Sequence, residues 1–293
     1  MKHVGIIGIG IMGTAYAENL LAAGFTVSGW DCDGSRVDAL GGRGGIAMAS
    51  AAEVADAADL VITALPGADA LTEAVAGETG LAAGSHDGLV LAEMSTLPLD
   101  AKLRAREMLE PLGVAVLDAP VSGTGLQAAA ADIAVYASGD PAALMSARPV
   151  FDTIGRTTFD LGEFGNGSRM KYVANLLVSV HNLATAEAFV LGMQGGLAPE
   201  RIHEVISASV ASSGIFEIRG PMMVADDYPA AARLKMFIKD ISVITEFARD
   251  VGSPTPLLET SRAFYEEATE AGLGDLDAAA LCRLLEDKAG YAR

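Results

Sequence analysis

Near the start of the chain an apolar run, HVGIIGIG (3–10), breaks into glycines and passes at once into MGTAYAENLLAAG (12–24). The apolar residues of the second segment recur at helical spacing, and Gly24 suits a helix C-terminal cap. FTVSGWD (25–31) then reads as a second strand, ending on Asp31. A strand that turns through glycine into a helix, and a helix that feeds another strand, is a βαβ unit. Such a unit closes with one handedness and needs a sheet to pack on, which restricts the fold more than any other feature here.

The glycines GIGIMG (8–13) fit G-x-G-x-x-G. Alone the pattern is a weak signal, but here it leaves a predicted strand, opens a predicted helix and has an acidic residue at the end of the next strand. Gly8 allows the tight turn, Gly10 lets backbone approach a pyrophosphate, and Gly13 lets helix and strand pack closely. Ile11 and Met12 lie between them, where helix N–H groups and the helix dipole favour an anion. Asp31 accepts hydrogen bonds from ribose hydroxyls and repels a 2′-phosphate, pointing to NAD rather than NADP. Asp33 and Arg36 lie close enough to complicate that choice, and a purely structural glycine turn is the competing reading.

The alternation continues. SRVDAL (35–40) is a candidate helix before a glycine-rich link, GGRGG (41–45). DLVITALP (59–66), GLVLAEMST (88–96) and VAVLDAPVSG (114–123) are apolar runs that end in turns, with helical segments such as DAKLRAREMLEPLG (100–113) between them. Strands apolar on both faces, alternating with helices, predict a doubly wound parallel sheet covered on both sides, a Rossmann-type α/β domain over residues 1–162. Beyond residue 161 strand signals fade. RMKYVANLLVSVHNLATAEAFVLGMQ (169–194) is a long helical run, and shorter ones follow. An all-α domain over 163–293, entered through one long helix, is the simplest reading. The apolar excess of that helix suggests packing against a partner subunit.

Composition narrows the function classes. With 38 acidic against 20 basic residues, the net charge of -18 repels nucleic acid and anionic membrane alike. Aromatic residues make up only 5%, favouring close helix packing over large ring clusters. Cys32 and Cys282 lie too far apart in sequence for a disulfide framework or zinc site and suit a reducing cytoplasm. The N-terminus lacks a signal-peptide layout. His3, His86, His181 and His203 have no spacing that suggests metal ligation or a triad. No metal site is expected.

Chemistry-bearing residues cluster in a few segments. DAPVSGTG (118–125) runs a strand into a Ser-Gly-Thr-Gly turn that either holds a carboxylate on N–H and hydroxyl groups or is a plain polar turn. Thr96, after an apolar run, stands at the strand end where open α/β sheets bind ligands, or else caps the next helix. In GNGSRMKYVANLLVSV (165–180), Lys171 and Asn175 share one helix face, which Ser179 and Asn182 extend. Lys171, one of only six lysines, either snorkels to solvent or faces an interdomain cleft. There, partial burial would lower its pKa towards acid–base work. Lys239 beside Asp240 is a surface pair or a ligand contact.

Taken in order, GIGIMG, ALPGADAL, EMSTLPLD, DAPVSGTG, GNGSRMKYVAN and FIKDISVI resemble the β-hydroxyacid dehydrogenase family almost from end to end. The resemblance implies hydride transfer between a nicotinamide cofactor and a small anionic hydroxy acid, in a cytoplasmic homodimer or homotetramer. It implies Lys171 as acid/base and Asn175 as the group that orients substrate or lysine. Ser122, Gly123 and Thr124 would bind the substrate carboxylate. Thr96 and Lys239 would touch the nicotinamide half of the cofactor, with Leu65 and Pro66 in the loop beside it. Three positions depart from the family pattern: Thr124 where many members have glycine, Ala174 where asparagine often pairs with Asn175, and Glu93 where aspartate is common. Arg219, in SVASSGIFEIRGPMM (209–223), either helps hold a substrate anion or is a surface arginine. An imine reductase shares the architecture but typically lacks the lysine. A non-catalytic binding module would be expected to have lost the lysine or the glycine fingerprint.

Overall fold

The first unit of secondary structure forms as its residues require: β1 (His3–Ile7), α1 (Ile11–Ala22) and β2 (Thr26–Trp30), with β1 and β2 parallel. The protein is described over residues 1–85 and 88–293 from a computed structural model. Two compact units divide it, Met1–Lys171 and Tyr172–Arg293.

In the first unit the chain continues through α2 (Gly34–Gly42), β3 (Ile46–Ala47), α3 (Ala51–Ala57), β4 (Leu60–Thr63), α4 (Ala68–Ala76), β5 (Val90–Glu93), α5 (Leu99–Leu109) and β6 (Ala115–Asp118). The six strands pair in the order β3-β2-β1-β4-β5-β6, and every pair is parallel. Alternate side chains enter two cores, as a pleated strand dictates. Val4, Ile6, Leu60, Ile62 and Ala92 join one, while Ile7, Val61, Leu91 and Val116 join the other. This is the doubly wound arrangement expected. Strand order reverses between β1 and β4, so the loops after those strands meet at the crevice where such sheets bind ligands.

The run 114–123 reads as one apolar segment, but the structure splits it. After β6 the chain turns through Ala119 and Pro120 and starts a second sheet with β7 (Val121–Ser122), α6 (Gly125–Ala129), β8 (Ala134–Ala137), α7 (Pro141–Ile154) and β9 (Thr157–Asp160). Pro120 has no N–H to give a ladder, so the strand cannot run on through it. In this sheet β7 lies antiparallel to β8, and β8 parallel to β9.

The long helix, α8 (Asn166–Gln194), carries the division between units within it, at Lys171/Tyr172, where the sequence reading drew the boundary at 162/163. It is long and apolar enough to cross a membrane by length and composition alone, with 44% of its most apolar window buried inside the protein. Tyr172, Leu183, Ala186, Phe189, Val190 and Met193 on it belong to the core of the second unit. That unit adds α9 (Pro199–Ser207), α10 (Gly214–Ala225), α11 (Leu234–Asp250), α12 (Pro256–Ala268) and α13 (Leu281–Ala289). Despite the low aromatic content, rings gather here: Phe189 stacks on Phe216 at 5.5 Å, and Phe237 on Tyr265 at 5.4 Å.

Candidate active site

The glycine turn is built tightly around two of its three glycines. Gly8 has φ +92°, and a Cβ there would lie 2.4 Å from the Ala64 carbonyl oxygen, in the loop after β4. A Cβ on Gly13 would lie 2.0 Å from the Gly8 oxygen, so helix and turn touch only because both residues lack side chains. Gly10 differs: a Cβ there would meet nothing within 4 Å. Nothing in the chain itself requires glycine at that position, which fits a backbone kept bare for a pyrophosphate. Gly10 is also the N-cap of α1 and gives it no side-chain cap, while Ile11 beside it is exposed and Met12 half-buried against the core. The uncapped N–H groups and the dipole of α1 suit an anion.

Asp31 is buried and anchors the turn. Its carboxylate accepts hydrogen bonds from Ile9 N (2.7 Å) and Asp33 N (2.9 Å), and Arg36 Nη1 approaches at 3.3 Å. Arg36 bridges on to Asp33 at 3.4 Å, so it answers the two acidic neighbours rather than standing alone as a phosphate site. On the far side of the switch point, Leu65 N donates to Ser95 Oγ (2.8 Å), tying the Leu65–Pro66 loop to the turn that carries Thr96.

The Ser-Gly-Thr turn lies next to the glycine turn, since a Cβ on Gly125 would sit 2.4 Å from Ile11 Cγ2. Gly123 has φ +146° and Ile133 against its Cα, where a Cβ would come within 2.5 Å of that side chain. Ser122 closes β7. Thr124 forms a capping box with Gln127: its hydroxyl accepts from Gln127 N (3.3 Å), and its own N–H donates to Gln127 Oε1 (2.9 Å). Thr124 thus holds α6 in place.

Beneath these turns lies a buried charge cluster that the sequence reading missed. Lys102, fully buried on α5, places its ammonium 2.6 Å from Glu93 and 2.8 Å from Asp118. Burial alone would lower its pKa, but the two carboxyl groups outweigh it and hold the ammonium charged. Asp118 in turn accepts from Ser168 N (2.7 Å) and Ser168 Oγ (2.8 Å), in the first turn of α8. A carboxylate there satisfies an otherwise orphan helix N–H and complements the dipole. Lys171, half-buried, follows three residues after Ser168 on the same helix face.

In the second unit, Asn175 Nδ2 donates to Asp240 Oδ2 (2.8 Å), and Lys239 Nζ lies 3.5 Å from Asp240. Asp240 therefore joins two residues that were singled out separately. Ser179 and Asn182 do not extend a polar stripe towards a ligand. Ser179 donates to the Asn175 carbonyl, and Asn182 to the Tyr265 hydroxyl, both in the interior. Arg219 is neither a surface residue nor placed for a substrate anion: it is buried, bonded to Asp277 at 2.8 Å and lying over the Phe237 ring. His203 stacks on Phe216, and burial holds the pKa of His3 down against a weaker opposing pull from Asp59. His86 lies outside the described residues. Among the described residues no three His, Cys, Asp or Glu side chains come together as a metal site.

Residues 3–162 match the family model for the NAD binding domain of 6-phosphogluconate dehydrogenase. Residues 165–285 match that for the NAD-binding region of NADP-dependent 3-hydroxyisobutyrate dehydrogenase. The chain is 33% identical to the L-threonate dehydrogenase of Cupriavidus necator, over 97% of this chain and 96% of that protein. The chain belongs to the β-hydroxyacid dehydrogenase family. It is 31% identical to the NAD-dependent L-serine dehydrogenase of Pseudomonas aeruginosa, over 99% of this chain and all of that one. Its structure is similar to that of Mycobacterium tuberculosis 3-hydroxyisobutyrate dehydrogenase with L-serine, with a TM-score of 0.88 at 28% identity over 97% of this chain and 99% of that one.

As a β-hydroxyacid dehydrogenase the protein is an NAD-dependent enzyme, and its first unit is the part that matches an NAD binding domain. What the sequence concealed in this dehydrogenase is the support around the site. One signal was present: Lys102, Ala105 and Leu109 recur three and four residues apart, so the lysine falls on the inward stripe of α5.

Proposed function

We propose that this dehydrogenase oxidises a short hydroxy acid with NAD, with Lys171 as the group that takes the hydroxyl proton. The observation that carries this reading is the placement of Lys171. It sits one helical step beyond Ser168, whose N–H and hydroxyl are fixed by buried Asp118, within the same unit as the dinucleotide turn. Bound NAD supplies the hydride acceptor. Lys171, in its neutral form, accepts the proton as the hydroxyl becomes a carbonyl, and gives it back in reduction. Asn175, one turn further along α8 and held by Asp240, orients the lysine or the substrate.

The relatives are named for L-threonate, L-serine and 3-hydroxyisobutyrate, acids in which a carboxylate lies a short distance from a hydroxyl. A substrate of that class suits Ser122 and Gly123 as carboxylate donors, with Thr124 capping α6 and so shaping the turn. Thr96 and Lys239 are assigned to the nicotinamide half of the cofactor, and Leu65 and Pro66 to the loop beside it. Exposed Val173, Leu177 and Leu191 on α8 support a homo-oligomer, and free Cys32 and Cys282 suit a reducing cytoplasm.

The test is a panel of L-threonate, L-serine and 3-hydroxyisobutyrate with NAD and with NADP, read by absorbance of the reduced nicotinamide. At least one acid is turned over, faster with NAD. Lys171→Ala lowers kcat by about 10²–10⁴-fold while NAD binding stays near wild type. Near-normal turnover in that variant overturns the role given to Lys171.

A further inference from the structure

Three segments that carry site residues hang from one buried ammonium. On one side, Glu93 lies 2.6 Å from Lys102 and accepts from Ser95 N (3.0 Å), while Ser95 Oγ accepts from Leu65 N (2.8 Å). On the other, Asp118 lies 2.8 Å from Lys102 and accepts from Ser168 N and Oγ. Ser138 reinforces this end, its hydroxyl donating to the Asp118 carbonyl (3.1 Å) and accepting from Gly167 N (3.0 Å). Gly167 is held so closely that a Cβ would lie 2.3 Å from the Tyr136 oxygen. Glu93, Lys102, Asp118 and Ser168 are all buried, so bulk water does not reach a group that has lost its partner.

The charges explain why a cation is needed here. Two carboxyl groups sharing a buried site cannot both stay ionised unless a positive charge stands between them. Ionised, each is an acceptor only, and so can receive the N–H groups of Ser95 and Ser168. Without the ammonium the two buried carboxyl groups repel, and a proton taken up between them removes one oxygen as an acceptor while the others still accept. The turn bearing Ser95 and Thr96, or the first turn of α8, is then held less firmly.

We propose that Lys102 is a positioning residue for the dehydrogenase reaction: by keeping Glu93 and Asp118 as acceptors, it fixes the turns of Leu65 and Thr96 relative to the first turn of α8, and hence Lys171. This rests on Lys171 being the proton acceptor. Lys102 touches neither end of the reaction itself. Its effect is geometric, and displacement by about 1 Å can cost up to ~100-fold in rate.

The experiment compares Lys102→Met, Ser168→Ala and Lys171→Ala, using the panel acid with the highest wild-type turnover. Readouts are kcat, KM, NAD affinity from the fluorescence of the single tryptophan, Trp30, melting temperature and the pH–kcat profile. Ser168→Ala removes one hydrogen bond from the α8 end, stays folded and lowers kcat by about fivefold or more, with KM and NAD affinity within about twofold of wild type. Lys102→Met lowers kcat further, and its pH–kcat profile gains an ionisation from the carboxyl pair, which loosened packing alone would not produce. If Lys102→Met does not fold, Ser168→Ala decides. Wild-type kcat in folded Ser168→Ala, or a loss shared equally by kcat, KM and NAD affinity, overturns the proposal. An inactive Lys171→Ala beside a fully active Ser168→Ala sinks this inference alone, whereas an active Lys171→Ala removes the assignment on which it rests.

Discussion

Gly10 and Gly13 look equivalent in the fingerprint, yet a methyl group would meet a backbone oxygen at Gly13 and open space at Gly10. Gly13→Ala is therefore expected to destabilise the first unit by about 1–3 kcal/mol or more, seen as a lower melting temperature without ligand. Gly10 has φ -76° and ψ -160°, a backbone any residue adopts. Gly10→Ala should leave stability unchanged or raise it by about 0.5 kcal/mol, while weakening NAD binding in a fluorescence titration. Loss of stability in the second variant, or unchanged NAD affinity, would contradict the division of labour drawn between the two glycines. At this scale the sequence was most legible where sterics dictate the residue, as in the tight turn at Gly8 and the close packing at Gly13. It was least legible where a charged side chain is turned inward. Nothing in the letters K, R and R at 102, 104 and 106 says which is inside, except the spacing to Ala105 and Leu109. Arg219 was missed for the same reason, its partner Asp277 lying far along the chain.

Elements were legible in proportion to their length and burial. The parallel strands β1, β2, β4, β5 and β6 are short apolar runs buried on both faces and were read within a few residues, as was α8 with its sustained periodicity, whereas β3, two exposed residues, and α7 were not read. The second sheet was not: β7 is two residues long, and β9 (TTFD) is polar and half exposed, so neither reads as a strand. The cap of α6 makes a modest element-scale prediction. Thr124→Ala removes the capping oxygen and should cost about 1 kcal/mol by denaturant melt, with a larger effect on KM for the acid than on NAD affinity. A second concerns the start of β1, where Asp59 accepts from Lys2 N (2.7 Å) and His3 N (3.1 Å). Those N–H groups hold its carboxyl below the usual range. Its stabilisation is thus present above the ordinary carboxylate pKa of about 3.9 and is lost as pH falls through the lower folded value. The melting-temperature gap between wild type and Asp59→Asn should be open at pH 7 and close as the medium is acidified below that range. A gap independent of pH would refute the sign.

For the whole molecule, alternation of apolar runs and helices was enough to foresee a doubly wound unit followed by a helical one, because that order of elements has few other solutions. The charge of -18 has a consequence at this scale alone. Substrate and NAD are both anions and approach through an unfavourable field, whose reach shrinks from about 30 Å at 0.01 M salt to about 8 Å at 0.15 M. kcat/KM for the hydroxy acid should rise with sodium chloride over that interval while kcat changes little, as steady-state kinetics at several ionic strengths will test. A falling kcat/KM would mean that local donors near Ser122 and Lys171 dominate over the global charge.

The cluster of Lys102, Glu93 and Asp118 also limits how a lineage carrying it can drift. Loss of the lysine alone strands two buried carboxyl groups at a cost of about 3–5 kcal/mol, and loss of either carboxyl leaves the N–H groups it accepts from without their acceptor. Replacing the set together with well-packed neutral residues can be nearly free. The three positions are therefore separated from any uncharged alternative by a fitness valley that single substitutions must enter. An exchange between the two forms would have to proceed by paired changes or on a background with stability to spare.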